Sequence, residues 1–209
     1  MPTVYGVALN DRASLERLGP ALHAPPYQAP PLAPVLYLKP ANTWAEEGAA
    51  VPVPARVQVG ATLGIVIGRT ATRIGAADAV SHIAGYLVAS DLSLPHDSHF
   101  RPAVRQRCRD RFCPMSEMRP RAALPDPDAA DIRIEIDGRE VHRRSLATLV
   151  RGVARLIADI TEFMTLADGD VLLVGAPDAP PLAGPGQSVA ITIAGLGTLR
   201  HTLVAEDTA

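Results

Sequence analysis

The stretch RPAVRQRCRDRFCPM, residues 101 to 115, holds five arginines, both cysteines of the chain and one acid, Asp110. Just before it, DLSLPHDSHF brings Asp91, His96, Asp97 and His99 within nine residues of one another. Farther upstream Lys39 closes the apolar run VLYLK. Three chemistries draw on such residues. Guanidiniums grip carboxylates or phosphates bidentately. Carboxylate oxygens with an imidazole suit manganese or a related divalent cation. A basic run can also track a nucleic-acid backbone.

The rest of the chain separates these readings. Its 209 residues carry a formal net charge of −2, so the arginine run is a local feature of a near-neutral protein. Three Phe, one Trp and four Tyr leave little to stack on bases, and no nucleic-acid partner is expected. Cys108 and Cys113 lack the further Cys or His pair that a four-coordinate zinc site needs, and Cys113 reads as a packing residue. No apolar run reaches membrane-spanning length and no signal-peptide pattern opens the chain, so a cytoplasmic protein without membrane attachment is expected. Alternation at 105, 107, 109 and 111 would place those arginines on one side of the segment if it is extended. They then face either an anionic di- or tricarboxylate or bulk solvent. The pair His96 and His99 is open to the same two readings, as a polar loop or as part of a metal site.

The elements that must position these groups are mostly strands. Thr3–Leu9, Val35–Lys39, Val57–Arg69 and Gly85–Leu92 read as strands, the last ending at Asp91. Nine prolines between Pro20 and Pro54 exclude a helix there. Ser14–Leu22 is a short helix capped by Ser14, and Ala76–Ala84 another. Ile132–Ile136 turns at Asp137-Gly138, a hairpin signal. Ser145 caps one long helix whose apolar positions run from Leu146 to Met164. Asp170–Val174 and Val189–Val204, broken at AGLG, return to strand. With no internal repeat and no linker, residues 1–209 form a single domain of the α+β class, mainly β, with one long covering helix. Val57–Ile67, apolar and uncharged, offers a face for a second subunit.

Taken together, YLKP (37–40), ATLGIVIGRTATRI (61–74), AGYLVASDLSLP (84–95), RCRDRFCPM (107–115), FMTLADGDVLLVGAP (163–177) and IAGLGTLRHTLV (193–204) resemble the fumarylacetoacetate hydrolase family. They follow the family order over nearly the whole chain. Within that family, RPAVRQRCRDRFCP and VYGVALN resemble the N-terminal half of members acting in 4-hydroxyphenylacetate (homoprotocatechuate) breakdown. The resemblance implies a β-roll fold. It also implies decarboxylation of 5-oxopent-3-ene-1,2,5-tricarboxylate and isomerisation of 2-hydroxyhepta-2,4-diene-1,7-dioate.

The family's cofactor is Mg²⁺ or Mn²⁺, held by a Glu-x-Glu pair on one strand and an Asp on a later one. By resemblance the Asp is Asp91, whereas the Glu-x-Glu pair falls on Gly60-Ala61-Thr62. The ion is therefore expected to be absent or weakly held, with Asp91 a vestige of its site. The family's Lys falls on Arg107, and its Thr-Gly-Thr-Pro on Val174-Gly175-Ala176-Pro177. Lys39 and Arg107 are the expected catalytic residues, with Arg101 and Arg105 binding substrate. Two functions stay open: an enzyme subunit with decarboxylase and isomerase activity, or a metal-free scaffold for a paralogue with an intact site. The expected assembly is a homodimer or a heteromer with that paralogue.

Overall fold

The computed structural model describes residues 2–96, 98 and 100–206. Val57–Ile67 and Ile83–Ser93 pair antiparallel along almost their whole length, with Val59 opposite Leu92, Gly60 opposite Asp91 and Thr62 opposite Ala89. Both strands are buried on both faces, as their near-continuous apolar runs require. They lie within a seven-stranded sheet in the order Val35–Lys39, Val4–Ala8, Val171–Leu173, Val57–Ile67, Ile83–Ser93, Arg119–Pro120; Leu182–Ala183 also pairs with Val57–Ile67.

A second, five-stranded sheet runs Arg139–Ser145, Asp131–Ile136, Ser188–Ile193, Gly197–Ala205, Ala50–Val53. One apolar core joins the two, with Val59, Leu63, Ile65 and Leu92 from the first and Ile132, Ile134, Ile191 and Leu199 from the second. The protein is mainly β, with few helices.

The first sheet cannot be flat. Lys39 and Asp91 stand on strands separated by three others in sheet order, yet their side chains touch. Such a contact requires the sheet to curl until its Val35–Lys39 edge faces Ile83–Ser93, which is the rolled form.

Several expectations are corrected. The first helix is Arg12–Leu18, followed by a 3₁₀ turn, Gly19–His23. Its cap is Asp11, whose Oδ1 accepts from Ala13 N at 3.0 Å, whereas Ser14 lies inside the helix and donates to Asp178. Ser145 caps only the 3₁₀ turn Leu146–Thr148. The α-helix begins past Gly152, at Val153, and runs to Thr161. Asp128 accepts from Val153 N at 2.8 Å and supplies the cap from a distant segment, which the local pattern could not reveal.

Asp91 is not at a strand end, because the strand continues to Ser93. The arginine segment is not extended: Val104–Arg107 is a short helical turn, so alternation does not set which way the arginines point. Val57–Ile67 offers no face to a partner, since its own chain buries it in the sheet and core. The hairpin at Asp137-Gly138 forms as its sequence dictates, with φ positive at both residues (51° and 74°).

Candidate active site

Four side chains meet at the curl. Asp91 is buried, and its Oδ1 lies 3.0 Å from Lys39 Nζ while its Oδ2 accepts from Arg107 Nη1 at 2.9 Å. The Tyr37 hydroxyl donates to the same Oδ2. Lys39 is itself fully buried and donates to the carbonyls of Leu92 (3.2 Å) and Arg107 (2.8 Å), which fixes its head between two elements.

Strand alternation explains how one short strand contributes twice. Tyr37 and Lys39 are two residues apart on Val35–Lys39 and so project on the same side. Tyr37 is also held from below. It pairs with Gly6, where a Cβ would stand 2.2 Å from the tyrosine ring, so only glycine lets the ring lie there. The Arg107 guanidinium lies over the ring, 4.4 Å from the centroid.

The electrostatics follow from this geometry. Burial alone would push the Asp91 carboxyl up; Lys39 and then Arg107, with the Tyr37 hydroxyl, more than offset burial and hold it below the usual carboxylate range. Burial, and next the Asp91 charge, raise the Tyr37 phenol well above its ordinary value, so it stays a neutral donor. A buried charge of this kind persists only when paired.

Beside the cluster opens a cavity of about 80 Å³, lined by Tyr37, Gly60, Asp91 and Arg107 together with Gln58 and Ser93. Its far wall is the segment from Ala176 to Pro180. That wall is tied down from behind. Asn10 donates to the carbonyls of Val174 (2.9 Å) and Arg151 (3.0 Å), and buried Arg144 bridges Asp11 (3.2 Å) and the Gly175 carbonyl (2.5 Å).

Lys39, Asp91 and Arg107, each singled out in the sequence, come together. Arg101 and Arg105 do not join them: both are exposed, and Arg105 lines a separate depression with Pro52, Arg109 and Glu206. Arg109 pairs with Glu206, and Arg111 donates to the Ala50 carbonyl at 3.1 Å. The short helix disperses the run that the linear sequence concentrates. His96 lines the cavity, and its Nδ1 lies 3.0 Å from the Leu94 carbonyl; Asp97 and His99 lie outside the described residues.

Tyr37 and Gly6 carried no signal by residue type alone. The spacing of Tyr37 from Lys39 on one strand was the available clue. The buried pair of Arg144 and Asp11 joins residues far apart in sequence and left no local trace.

Among the described residues, those at positions 60, 62 and 91 do not fit a divalent ion. Gly60, Thr62 and Asp91 share one face of the ladder, where three carboxylates could converge on an ion, but only Asp91 has one. A Cβ at Gly60 would stand 2.5 Å from the Asp91 carbonyl oxygen and 3.1 Å from Ala176 Cβ, so there is no room for a longer side chain with this backbone. Thr62 Oγ1 is buried and turned to the Leu63 carbonyl. Asp91 already faces two cations. Among the described residues no three His, Cys, Asp or Glu side chains are grouped to hold a metal.

Known proteins place this geometry. The chain is 42% identical over 207 residues to the 4-hydroxyphenylacetate degradation bifunctional isomerase/decarboxylase of Salmonella dublin, covering 98% of this chain and 48% of that protein. It thus spans about half the length of that curated relative. Among solved structures it resembles the 5-carboxymethyl-2-hydroxymuconate delta-isomerase of Mycobacterium smegmatis, with a TM-score of 0.82 and 29% identity over 99% of this chain and 80% of that one. The same fold occurs in the fumarylpyruvate hydrolase of Pseudomonas aeruginosa, solved with Mn²⁺ and pyruvate, with a TM-score of 0.82 and 23% identity over 99% of this chain and 91% of that one. The sequence model of the fumarylacetoacetate hydrolase C-terminal family matches residues 3–204, and the chain belongs to the fumarylacetoacetate hydrolase family.

Proposed function

We infer that this chain is a subunit of a 4-hydroxyphenylacetate-degrading enzyme that decarboxylates 5-oxopent-3-ene-1,2,5-tricarboxylate and isomerises 2-hydroxyhepta-2,4-diene-1,7-dioate. Its 209 residues act as one domain in the cytoplasm, standing for one half of the longer bifunctional relatives. The observation that carries this reading is near-complete coverage of this chain by half of such a relative. No helix among the described residues is long and apolar enough to cross a membrane.

In this reading Lys39 and Arg107 are the working side chains, and the substrate is an anionic carboxylate. Arg101 and Arg105, exposed and outside the cavity lining, act on it through their charge during approach. The chain works as a homodimer or with a paralogous subunit.

A second reading rests on Gly60 and Thr62. Decarboxylation leaves enolate-like charge that family members of this kind stabilise with a divalent ion. A chain with one carboxylate at that place, already paired to Lys39 and Arg107, is suited to be a metal-free scaffold whose paralogue holds the ion. Turnover of the tricarboxylate by this chain alone, by the paralogue alone and by their mixture decides between them. Activity of this chain alone supports the first reading. No activity alone and a rate in the mixture above that of the paralogue supports the second. No effect in either arm refutes both.

A further inference from the structure

The Asp91 cluster is not charge-balanced. One carboxylate faces two cations, Lys39 at 3.0 Å and Arg107 at 2.9 Å, which leaves one positive charge in excess. Lys39 is sealed, its side chain 0% exposed and its Nζ directed at two backbone carbonyls. The excess therefore reaches the cavity through Arg107, whose side chain is 13% exposed and lines it.

Arg107 is also pre-oriented for this. Its Nη1 donates to Asp91, and its plane is fixed by the Tyr37 ring. Nε and Nη2, the side edge that grips a carboxylate through two parallel hydrogen bonds, make no hydrogen bond to the described residues. The side-chain amide nitrogen of Gln58, which also lines the cavity, has none either, its oxygen accepting from Ser93 at 3.2 Å. The other charged pair at the cavity, Arg17 with Asp178 at 2.8 Å, cancels itself.

We propose that this cavity is a metal-independent receptor for a single carboxylate group, gripped by the Nε and Nη2 edge of Arg107 with Gln58 as a further donor. The cluster thus presents to an anion the positive charge that a divalent ion would otherwise supply. Its volume, about 80 Å³ against the ~10–15 Å³ that one water needs on the same measure, suits a two- or three-carbon acid or the end of a longer one. The proposal deepens the reading of this site as metal-free and needs no turnover by the chain.

The test is a titration of the ¹⁵N-labelled chain with acetate in the presence of EDTA, followed by amide shifts. Saturable shifts at Gln58, Ser93 and Arg107 are expected, unchanged by replacing EDTA with Mn²⁺. Arg107→Gln should weaken binding about tenfold or more, the order of one charge-assisted hydrogen-bonded contact. Should that variant not fold, Arg107→Lys keeps a counter-ion for Asp91 but lacks the fork, and should weaken binding severalfold.

Glutarate should bind no tighter than acetate, because its second carboxylate finds no unpaired cation. A free small acid is the natural occupant if acetate is preferred, and the end of a longer acid if the two are equal. Binding that requires Mn²⁺, wild-type affinity in both variants, shifts scattered away from the cavity, or glutarate binding tenfold tighter would each overturn the proposal. Because no catalysis is read, loss of the proposed enzymatic function leaves this result standing, and the reverse also holds.

Discussion

Gly60 lies directly across the ladder from Asp91, and a Cβ at position 60 would stand 2.5 Å from the Asp91 carbonyl oxygen. The missing carboxylate and the tight ladder are thus one structural fact: the two strands close where a longer side chain would stand. Gly60→Ala is expected to destabilise the fold by ~1–3 kcal/mol, the usual cost of overpacking a close-packed site, since the contact is with backbone and cannot rotate away. Urea unfolding measures it, and an unchanged midpoint would show that the strands part easily. The double variant Gly60→Glu with Thr62→Glu should not gain Mn²⁺ affinity by calorimetry while Lys39 and Arg107 still hold Asp91.

Removing one member of the ion cluster should not cost the same at every position. Lys39→Met leaves Asp91 with Arg107 and Tyr37, so its charge stays partnered. Asp91→Asn leaves two cations facing each other without a carboxylate, one of them wholly buried. Breaking a buried pair costs ~3–5 kcal/mol, and Asp91→Asn should sit at or above the top of that range and Lys39→Met below it. Equal midpoints for the two variants in chemical denaturation would contradict the ordering.

His201 sets an acid limit. It is buried on Gly197–Ala205 with Nε2 3.0 Å from Ser90 Oγ, and burial lowers it from 6.5 to about 4. Above pH 6.5 it is neutral folded or unfolded and stability is unaffected. As pH falls from there towards 4, the unfolded chain takes up the proton that the folded chain refuses, so stability is lost across that window. At ~1.4 kcal/mol for each pH unit of separation the loss approaches ~3 kcal/mol. His201→Gln, which can keep the Ser90 hydrogen bond, should flatten the decline between pH 6.5 and 4. A wild-type midpoint unchanged over that range would refute it. Asp91, held below its usual range, adds a further loss of the same sign at lower pH.

The strands were legible because burial on both faces leaves an apolar run, as in Val57–Ile67, and a turn leaves Asp137-Gly138. Helix starts were not. The caps came from Asp128, distant in sequence, and from Asp11, which a local rule passed over in favour of Ser14. At the site, Lys39, Asp91 and Arg107 stood out by charge in apolar or clustered surroundings. Their meeting depends on the curl of a sheet that brings residues 39 and 91 together, and no periodicity encodes that. Arg105 and Arg107, neighbours in sequence, are turned apart by the helical turn Val104–Arg107, and Arg101 lies before that turn.

The chain spans about half of its bifunctional relative, and Asp91, the one carboxylate at the place the resemblance assigns to the metal, is paired to cations. If the chain is a metal-free scaffold, a second copy of the fold with three intact carboxylates would supply the metal chemistry. The contact must use a surface other than Val57–Ile67, which this chain buries itself. Exposed apolar side chains are available at Leu38, Phe100, Val104 and Phe163. A stable complex needs at least ~1,200 Å² buried in total. Light scattering should therefore report a dimer of this chain at micromolar concentration, and a heteromer when the paralogue is added. The mixture should turn over the tricarboxylate faster than the paralogue alone, with the metal bound stoichiometrically to the paralogue and not to this chain. A monomer in isolation contradicts the first expectation. Unchanged mass and unchanged rate on mixing contradict the second, and a metal ion bound stoichiometrically to this chain alone contradicts the third.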